Sequence, residues 1–284
     1  MRAHASRDRE QTMSEEDRNT VLYEISDQIA TVTLNRPETL NAITDQLTSE
    51  LYDVMQTAAS DRKVRAIILT GAGRAFCAGG DITGFGNQTP QDLITKLPRQ
   101  FDMNRRPDFQ TRHTYFPAIA KPIIGMINGA AAGLGLLYAL FCDIRFASED
   151  AVLTTAFARR GLGAEYGMAW ILTELVGHAN ALDLLISGRK VRGDEALRLG
   201  LVNQIHPQAE LASATYAYAK EIVTWCAPSS MRMMKRAVYD VPFQSLHEAV
   251  MLANQDMLVS NVSADFKEGT ASFREKRPPK FQDL

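Results

Sequence analysis

Three observations predict an α/β fold with a helical C-terminal region. Short apolar runs recur up to about residue 207, alternating with segments of helical periodicity. Several of these runs lead into a glycine-rich loop, and beyond residue 208 the apolar spacing is helical throughout. Buried strands that alternate with helices are the mark of a layered α/β core. The expected organisation is a charged tail over residues 1–19, an α/β core over 20–207 and a helical region over 208–284.

Taken in order, Ile29 to Leu34 (IATVTL) alternates β-formers with smaller residues and stops at Asn35-Arg36-Pro37, a strand ending in a turn. Ile43, Leu47, Leu51, Val54 and Ala58 recur at steps of three or four, which predicts a helix over 41–59 with Asn41 as its N-cap. Val64 to Thr70 (VRAIILT) is nearly continuous in apolar residues, suiting a strand covered on both faces. The glycine-rich GAGRAFCAGGD and a polar stretch to about residue 117 follow. Pro122 to Ile127 is a second buried-strand candidate, leading into another glycine-rich turn and the apolar run Leu136 to Cys142. Leu211 to Trp225, Ser230 to Tyr239 and Leu246 to Leu258 are the C-terminal helix candidates. They can pack on the core or against a neighbouring subunit. No internal repeat is visible in the sequence.

Composition narrows the function. The 284 residues carry a net charge of −2, and a pI of about 6.2 leaves no general electrostatic footprint for nucleic acid. The pairs Arg159-Arg160 and Lys276-Arg277 are local anion-site candidates. The three cysteines, 77, 142 and 226, are widely spaced among apolar neighbours, as buried reduced thiols of a cytoplasmic protein would be. No apolar run reaches the ~18–20 residues that span a bilayer. The first residues are charged and lack the apolar centre of a secretory signal.

Several chemistries are excluded by motif. Gly71-x-Gly73 and Gly133-x-Gly135 suggest a dinucleotide loop, but Phe76 and Tyr138 stand where its third glycine belongs. There is no Gly-Lys-Ser/Thr phosphate loop and no serine in G-x-S-x-G. The five histidines are scattered without zinc spacing.

Two loops and one acid remain. FCAGGD (76–81) and NGAAAGLG (128–135) each place nearly bare backbone between a strand and a helix. Small residues allow close approach of a ligand, and the first N–H groups of a helix lack internal partners. Two such loops could aim two N–H donors at one oxygen, or could be tight turns that serve packing alone. Glu165 stands by itself in GLGAEYG (161–167). It is either a surface residue or a reagent.

RAFCAGGDI followed by NGAAAGLGLLYALFCDIRFAS resembles the crotonase (enoyl-CoA hydratase/isomerase) family. LNRPETLNAI, GRKVRGDEALRLGLVNQI and KEGTASFREKR extend the resemblance from about residue 20 to the C-terminus. It implies a spiral of ββα units capped by C-terminal helices, assembled as a homotrimer or a dimer of trimers. It also implies an acyl-CoA thioester as substrate, with coenzyme A part of that substrate and no metal or redox cofactor.

Carried over residue by residue, the resemblance makes the N–H groups of Ala78 and Leu134 the oxyanion donors, Leu134 replacing a common glycine. The groove for the CoA adenine side lies along Arg74, Ala75, Gly79, Asp81 and Ile82, with Asp81 bracing the loop. Gly133 and Phe157 fall at the substrate, Phe273 and Lys276 reach CoA from a neighbouring subunit, and Arg36 lies near the CoA phosphates. The two glutamates that hold water in the family's hydratases are replaced by Leu137 and Phe157. Glu165 matches a third position, where several isomerases of the family carry their acid and related dehalogenases a nucleophilic aspartate. Enoyl-CoA isomerisation with Glu165 as base is therefore the expected reaction. The alternatives are hydration with Glu165 alone, covalent catalysis by Glu165, or CoA-ester binding without turnover. Phe85, Phe101, Met103, Phe109, Tyr115 and Phe116 can line an acyl pocket or form local core.

Overall fold

The computed structural model describes residues 19–81, 83 and 107–282. The tail expected over 1–19 falls almost wholly outside them, as do Ile82, Phe85, Phe101 and Met103. β1 (Val21–Ser26) and β2 (Ile29–Leu34) form an antiparallel hairpin. Asp27 and Gln28 both take positive φ at its turn, 52° and 66°. Such a pair matches the right-handed twist of the strands it joins.

From β2 the pairing is parallel throughout: with β3 (Ala66–Gly71), then β5 (Ile123–Ile127), β7 (Ile144–Ser148) and β10 (Gln204–His206), a six-stranded sheet. A four-stranded sheet takes β4 (Ala75–Cys77), β6 (Ala130–Ala132), β8 (Val152–Thr154) and β9 (Val191–Arg192). β3–β4, β5–β6 and β7–β8 each pass from the first sheet to the second within a few residues. Helix α1 (Asp45–Ser60) follows the hairpin, and α2 (Leu134–Phe141) follows β6. After β8 come α3 (Met168–Val176) and α4 (His178–Ser187), then α5 (Gly193–Leu199) after β9. The chain thus winds through successive ββα turns, and the repeat lies in its backbone path.

Alternation along the central strands divides the interior in two. Ile67 and Leu69 of β3 and Ile123 and Ile127 of β5 face the larger core, with Leu47, Leu51 and Met55 of α1. Ala66, Ile68, Ile124 and Met126 face the opposite way, against Leu211, Ala219 and Val223 of α6 (Gln208–Trp225). Both faces are covered, hence the unbroken apolar runs. Each Val, Leu, Ile or Met among them contributes roughly 1.5–3 kcal/mol by leaving water.

The remaining helices are α7 (Pro228–Asp240), α8 (Leu246–Asn261) and α9 (Ala264–Glu275). Lys235 anchors α7, its Nζ 2.8 Å from the Asp143 carboxylate. α8 buries no residue, and Leu246, Val250, Leu258 and Val259 stand exposed along it. No helix among the described residues is long and apolar enough to cross a membrane.

Two expectations are corrected, and one open choice is decided for three aromatics. The α1 N-cap is Thr44, whose side chain accepts from the Leu47 N–H at 3.1 Å. Asn41 is instead buried with φ 58°, in a left-handed pair with Leu40. Cys77 and Cys142 are buried, but Cys226 is exposed where α6 ends. Tyr115 and Phe116 belong to the main core, and Phe109 is buried edge-on against Tyr239.

Candidate active site

A cavity of about 360 Å³ opens where the two glycine loops meet. Ala78, Gly79, Gly80 and Asp81 come from the first loop, Ala132, Gly133 and Leu134 from the second. Phe157, Arg160, Leu162 and Glu165 close the far side, and Thr39 and Ala42 the near one. The loops touch because Gly79, at φ 99°, has no side chain: a Cβ there would lie 2.7 Å from the Ala132 carbonyl oxygen. A Cβ on Gly135 would fall 2.1 Å from the Cys77 carbonyl, so α2 can begin directly against β4.

Two asparagines hold the first loop in shape. Asn41 Nδ2 donates to the carbonyls of Ala72, Ala75 and Phe76 at 3.0, 2.8 and 3.1 Å, while its Oδ1 accepts from the Arg36 N–H. Asn128 Nδ2 donates to Gly71 and Gly73 at 2.8 and 2.9 Å. Buried carbonyls are thereby satisfied without a regular ladder. One edge of the loop pairs with Ile43: the Ile43 N–H donates to the Gly79 carbonyl at 2.8 Å and the Asp81 N–H donates to the Ile43 carbonyl at 2.9 Å. In a parallel bridge of this kind the paired residue, Gly80, turns its own N–H to the other side. That N–H has no acceptor among the described residues, and Gly80 lines the cavity. The Leu134 N–H, first in α2, likewise has none, and there the helix dipole adds positive potential.

Glu165 is half-buried on the cavity wall, just before Tyr166 and Gly167, which take φ 47° and 78°. Its carboxylate has no hydrogen-bond or ion-pair partner among the described residues. Burial raises its pKa above the ordinary carboxylate value. Asp81, the other carboxylate on the wall, is committed elsewhere. It accepts from the Thr83 hydroxyl at 2.7 Å and from the Thr83 N–H at 3.1 Å, and pairs with Arg36 at 3.2 Å. The Thr83 bonds, with Arg36 in addition, hold its pKa below the ordinary value. Among the described residues, the cavity therefore offers unsatisfied backbone donors on one side and one available, desolvated carboxylate on the other.

The family model for enoyl-CoA hydratase/isomerase matches residues 24–284. The chain belongs to that family. It is 34% identical over 264 residues to a probable enoyl-CoA hydratase of Rhodobacter capsulatus, covering 93% of this chain and 98% of that one. It is 30% identical over 262 residues to the 1,2-epoxyphenylacetyl-CoA isomerase of Escherichia coli, covering 92% and 97%. Among solved structures, a probable enoyl-CoA hydratase/isomerase from Mycobacterium abscessus superposes with a TM-score of 0.82 at 31% identity, covering 93% of this chain and 99% of that one. A putative enoyl-CoA hydratase from Streptomyces coelicolor gives 0.82 at 30%, covering 98% and 99%. The spiral of ββα units is thus the fold of the family, and the chain is an acyl-CoA enzyme of the enoyl-CoA hydratase/isomerase kind.

Against the family pattern, the cavity brings together Ala78, Gly79, Asp81, Gly133, Leu134, Phe157 and Glu165. One assignment is corrected. The Ala78 N–H donates to the Leu40 carbonyl at 2.9 Å, so it is not free for a substrate oxygen. The free donor of that loop is Gly80, two residues on. Arg36 stands beside the cavity lining, its Nη1 donating to the Ala42 carbonyl at 2.6 Å and pairing with Asp81 at 3.2 Å. Ala75 is buried, its carbonyl taken by Asn41, and Arg74 is exposed outside the cavity lining. Phe273 and Lys276 are exposed and line no part of this chain's own cavity.

Leu137 is wholly buried and the Phe157 ring lies against Gly133, so both hydratase glutamate positions are apolar in space as in sequence. Of the two basic residues at 159 and 160, Arg159 donates to the Ser187 carbonyl while Arg160 lines the cavity. Gly80 and Arg160 were visible in the sequence only as members of a loop and a basic pair.

Proposed function

We propose that the chain isomerises enoyl-CoA thioesters, moving a double bond through a thioester enolate. The observation that carries this reading is Glu165: a desolvated carboxylate, unpaired among the described residues, on the wall of the cavity that the two glycine loops build. The thioester oxygen would accept from the Gly80 and Leu134 N–H groups. Glu165 would take a proton from C2 of a 3-enoyl thioester. The C–H pair becomes the C1–C2 double bond as the carbonyl pair moves onto the thioester oxygen, giving the dienolate. On return the carbonyl re-forms, the C1–C2 pair shifts to C2–C3, and the old C3–C4 pair takes the proton at C4. The product is the conjugated 2-enoyl thioester, and no metal or redox cofactor is called for, coenzyme A being carried by the substrate.

The donors act on charge that exists only between the two proton transfers, so they stabilise the barrier more than the ground state. A raised pKa strengthens the base once it is ionised. Hydration by the usual route would need a second acceptor for water, and Leu137 and Phe157 supply none. The exposed apolar residues of α8 and the exposed Phe273 support assembly as a homotrimer or a dimer of trimers. A CoA ester then meets Phe273 and Lys276 from the next subunit.

Product analysis tests the reaction. A 3-enoyl-CoA should give a conjugated 2-enoyl-CoA, read by its ultraviolet absorbance, and a 2-enoyl-CoA should take up little water. Efficient formation of the 3-hydroxy product from the 2-enoyl ester would instead make the chain a hydratase working with Glu165 alone.

A further inference from the structure

His113 stands outside the cavity and outside every role assigned so far, yet it is buried between the two halves of the site. Its Nδ1 lies 2.7 Å from the Tyr138 hydroxyl. On its other side the Tyr166 ring meets the imidazole edge-on, with centroids 4.3 Å apart at 61°. Tyr138 lies on α2, about one turn beyond Leu134, whose N–H opens that helix to the cavity. Tyr166 is the residue after Glu165. The imidazole therefore joins the helix that carries an oxyanion donor to the turn that carries the base.

The connection is rigid at each point. Tyr138 is fully buried and stacks at 5° on Phe116, 5.7 Å away. Burial drives the His113 pKa down to about 3, so a neutral ring occupies the seat across the physiological range. Tyr166 takes φ 47°, a left-handed conformation that a bulky residue adopts only where its surroundings impose it. Glu165 lines the cavity while the ring of Tyr166, the next residue, meets His113.

We infer that His113 is a positioning residue, clamping Tyr138 and Tyr166 so that the Glu165 carboxylate is registered against the Leu134 N–H. It touches no substrate. Its effect is on the distance between base and enolate oxygen, a distance to which proton transfer is steep: a displacement near 1 Å can cost about 10²-fold in rate. This inference rests on Glu165 being the base.

The test is deuterium exchange at C2 of a saturated acyl-CoA, at saturating ligand, in the full chain and in His113→Leu, Tyr138→Phe, Glu165→Gln and the double variants with Glu165→Gln. Acyl-CoA dissociation constants are measured alongside. A clamp predicts that His113→Leu loses exchange by about 10- to 100-fold while the dissociation constant stays within about twofold. It also predicts that neither His113→Leu nor Tyr138→Phe lowers the residual rate further once Glu165 is Gln. A merely structural role would lower both backgrounds alike, or weaken binding and exchange together, and either outcome overturns the inference. Tyr138→Phe removes one oxygen and keeps the ring, so it decides the matter if His113→Leu does not fold. Collapse in Glu165→Gln beside wild-type exchange in the His113 and Tyr138 variants would overturn the clamp and leave the isomerase reading standing. Undiminished exchange in Glu165→Gln would remove both.

Discussion

The backbones of Gly79 and Leu134 meet with nothing between them: a methyl group on Gly79 would sit 3.8 Å from the Leu134 nitrogen and 2.7 Å from the Ala132 carbonyl oxygen. Because φ at Gly79 is also 99°, Gly79→Ala combines backbone strain with a clash between loops. The expected cost is more than about 1 kcal/mol of stability. Turnover is expected to fall further than stability, since the loops are pushed apart where the donors must converge. Thermal melts and exchange rates on the same preparation check both.

Leu134 allows a clean deletion of one donor. It is the first helical residue, where proline is tolerated because its missing N–H has no helical partner. Leu134→Pro should therefore leave the fold near wild type while lowering the catalytic rate by about 10²–10³-fold. Leu134→Gly keeps the N–H and should retain most of the rate. The pair separates the donor from the side chain.

Asn41 is expected to matter more for stability than its place in a turn suggests. Asn41→Ala leaves the Ala72, Ala75 and Phe76 carbonyls without their shared donor and puts an alanine at φ 58°. A buried group left unsatisfied costs about 1–3 kcal/mol. Denaturant titration measures it. Asn41→Asp, which keeps the shape and loses the donors, should not rescue.

Glu165 links function to pH. Burial raises its folded-state pKa above the 4.5 of the free group, so the folded chain holds this proton at pH values where the unfolded chain has released it. Stability from this group is thus fully present below about pH 4.5 and falls as pH rises through the folded value. Glu165→Gln carries no such loss. The variant should gain stability relative to wild type as pH rises toward neutral, while its activity is lost, and parallel melts at acid and neutral pH show the crossing. The exchange rate of wild type should rise over the same window as the base ionises.

Arg160 is the one lysine or arginine that lines the cavity among the described residues, and CoA esters are polyanionic. Arg160→Gln is expected to weaken CoA-ester binding modestly, by no more than about 1 kcal/mol at an exposed position, with the difference shrinking as salt is added. Calorimetry at two ionic strengths checks the sign of both effects.

How far the residues themselves revealed this arrangement differs from element to element. The AIILT of β3 and the IIGMI of β5 are legible because a strand buried on both faces must be apolar throughout. β4, β6, β8 and β9 run only two or three residues, too short to show a period of two. The start of α1 is not legible, because apolar spacing does not reveal that Leu40 and Asn41 are left-handed. The choice between Ala78 and Gly80 depends on Leu40, which takes the Ala78 N–H, and on Ile43, which pairs with Gly79 and Asp81 and turns the Gly80 N–H away, both from a distant part of the chain. His113 reads in sequence as an isolated histidine, and only the fold carries it to Tyr138, 25 residues on. Glu165 is legible because it is the one acid in a glycine-rich turn, whereas its lack of a partner among the described residues is a property of the folded chain.

The central claim is that Glu165 removes the C2 proton of a CoA thioester. It is tested most directly by C2 deuterium exchange of a saturated acyl-CoA, wild type against Glu165→Gln, with binding of the ester measured in both. Exchange is expected in wild type, with its collapse in the variant and unchanged affinity. Equal exchange in the two proteins would contradict it, because the proton would then be leaving to some other group.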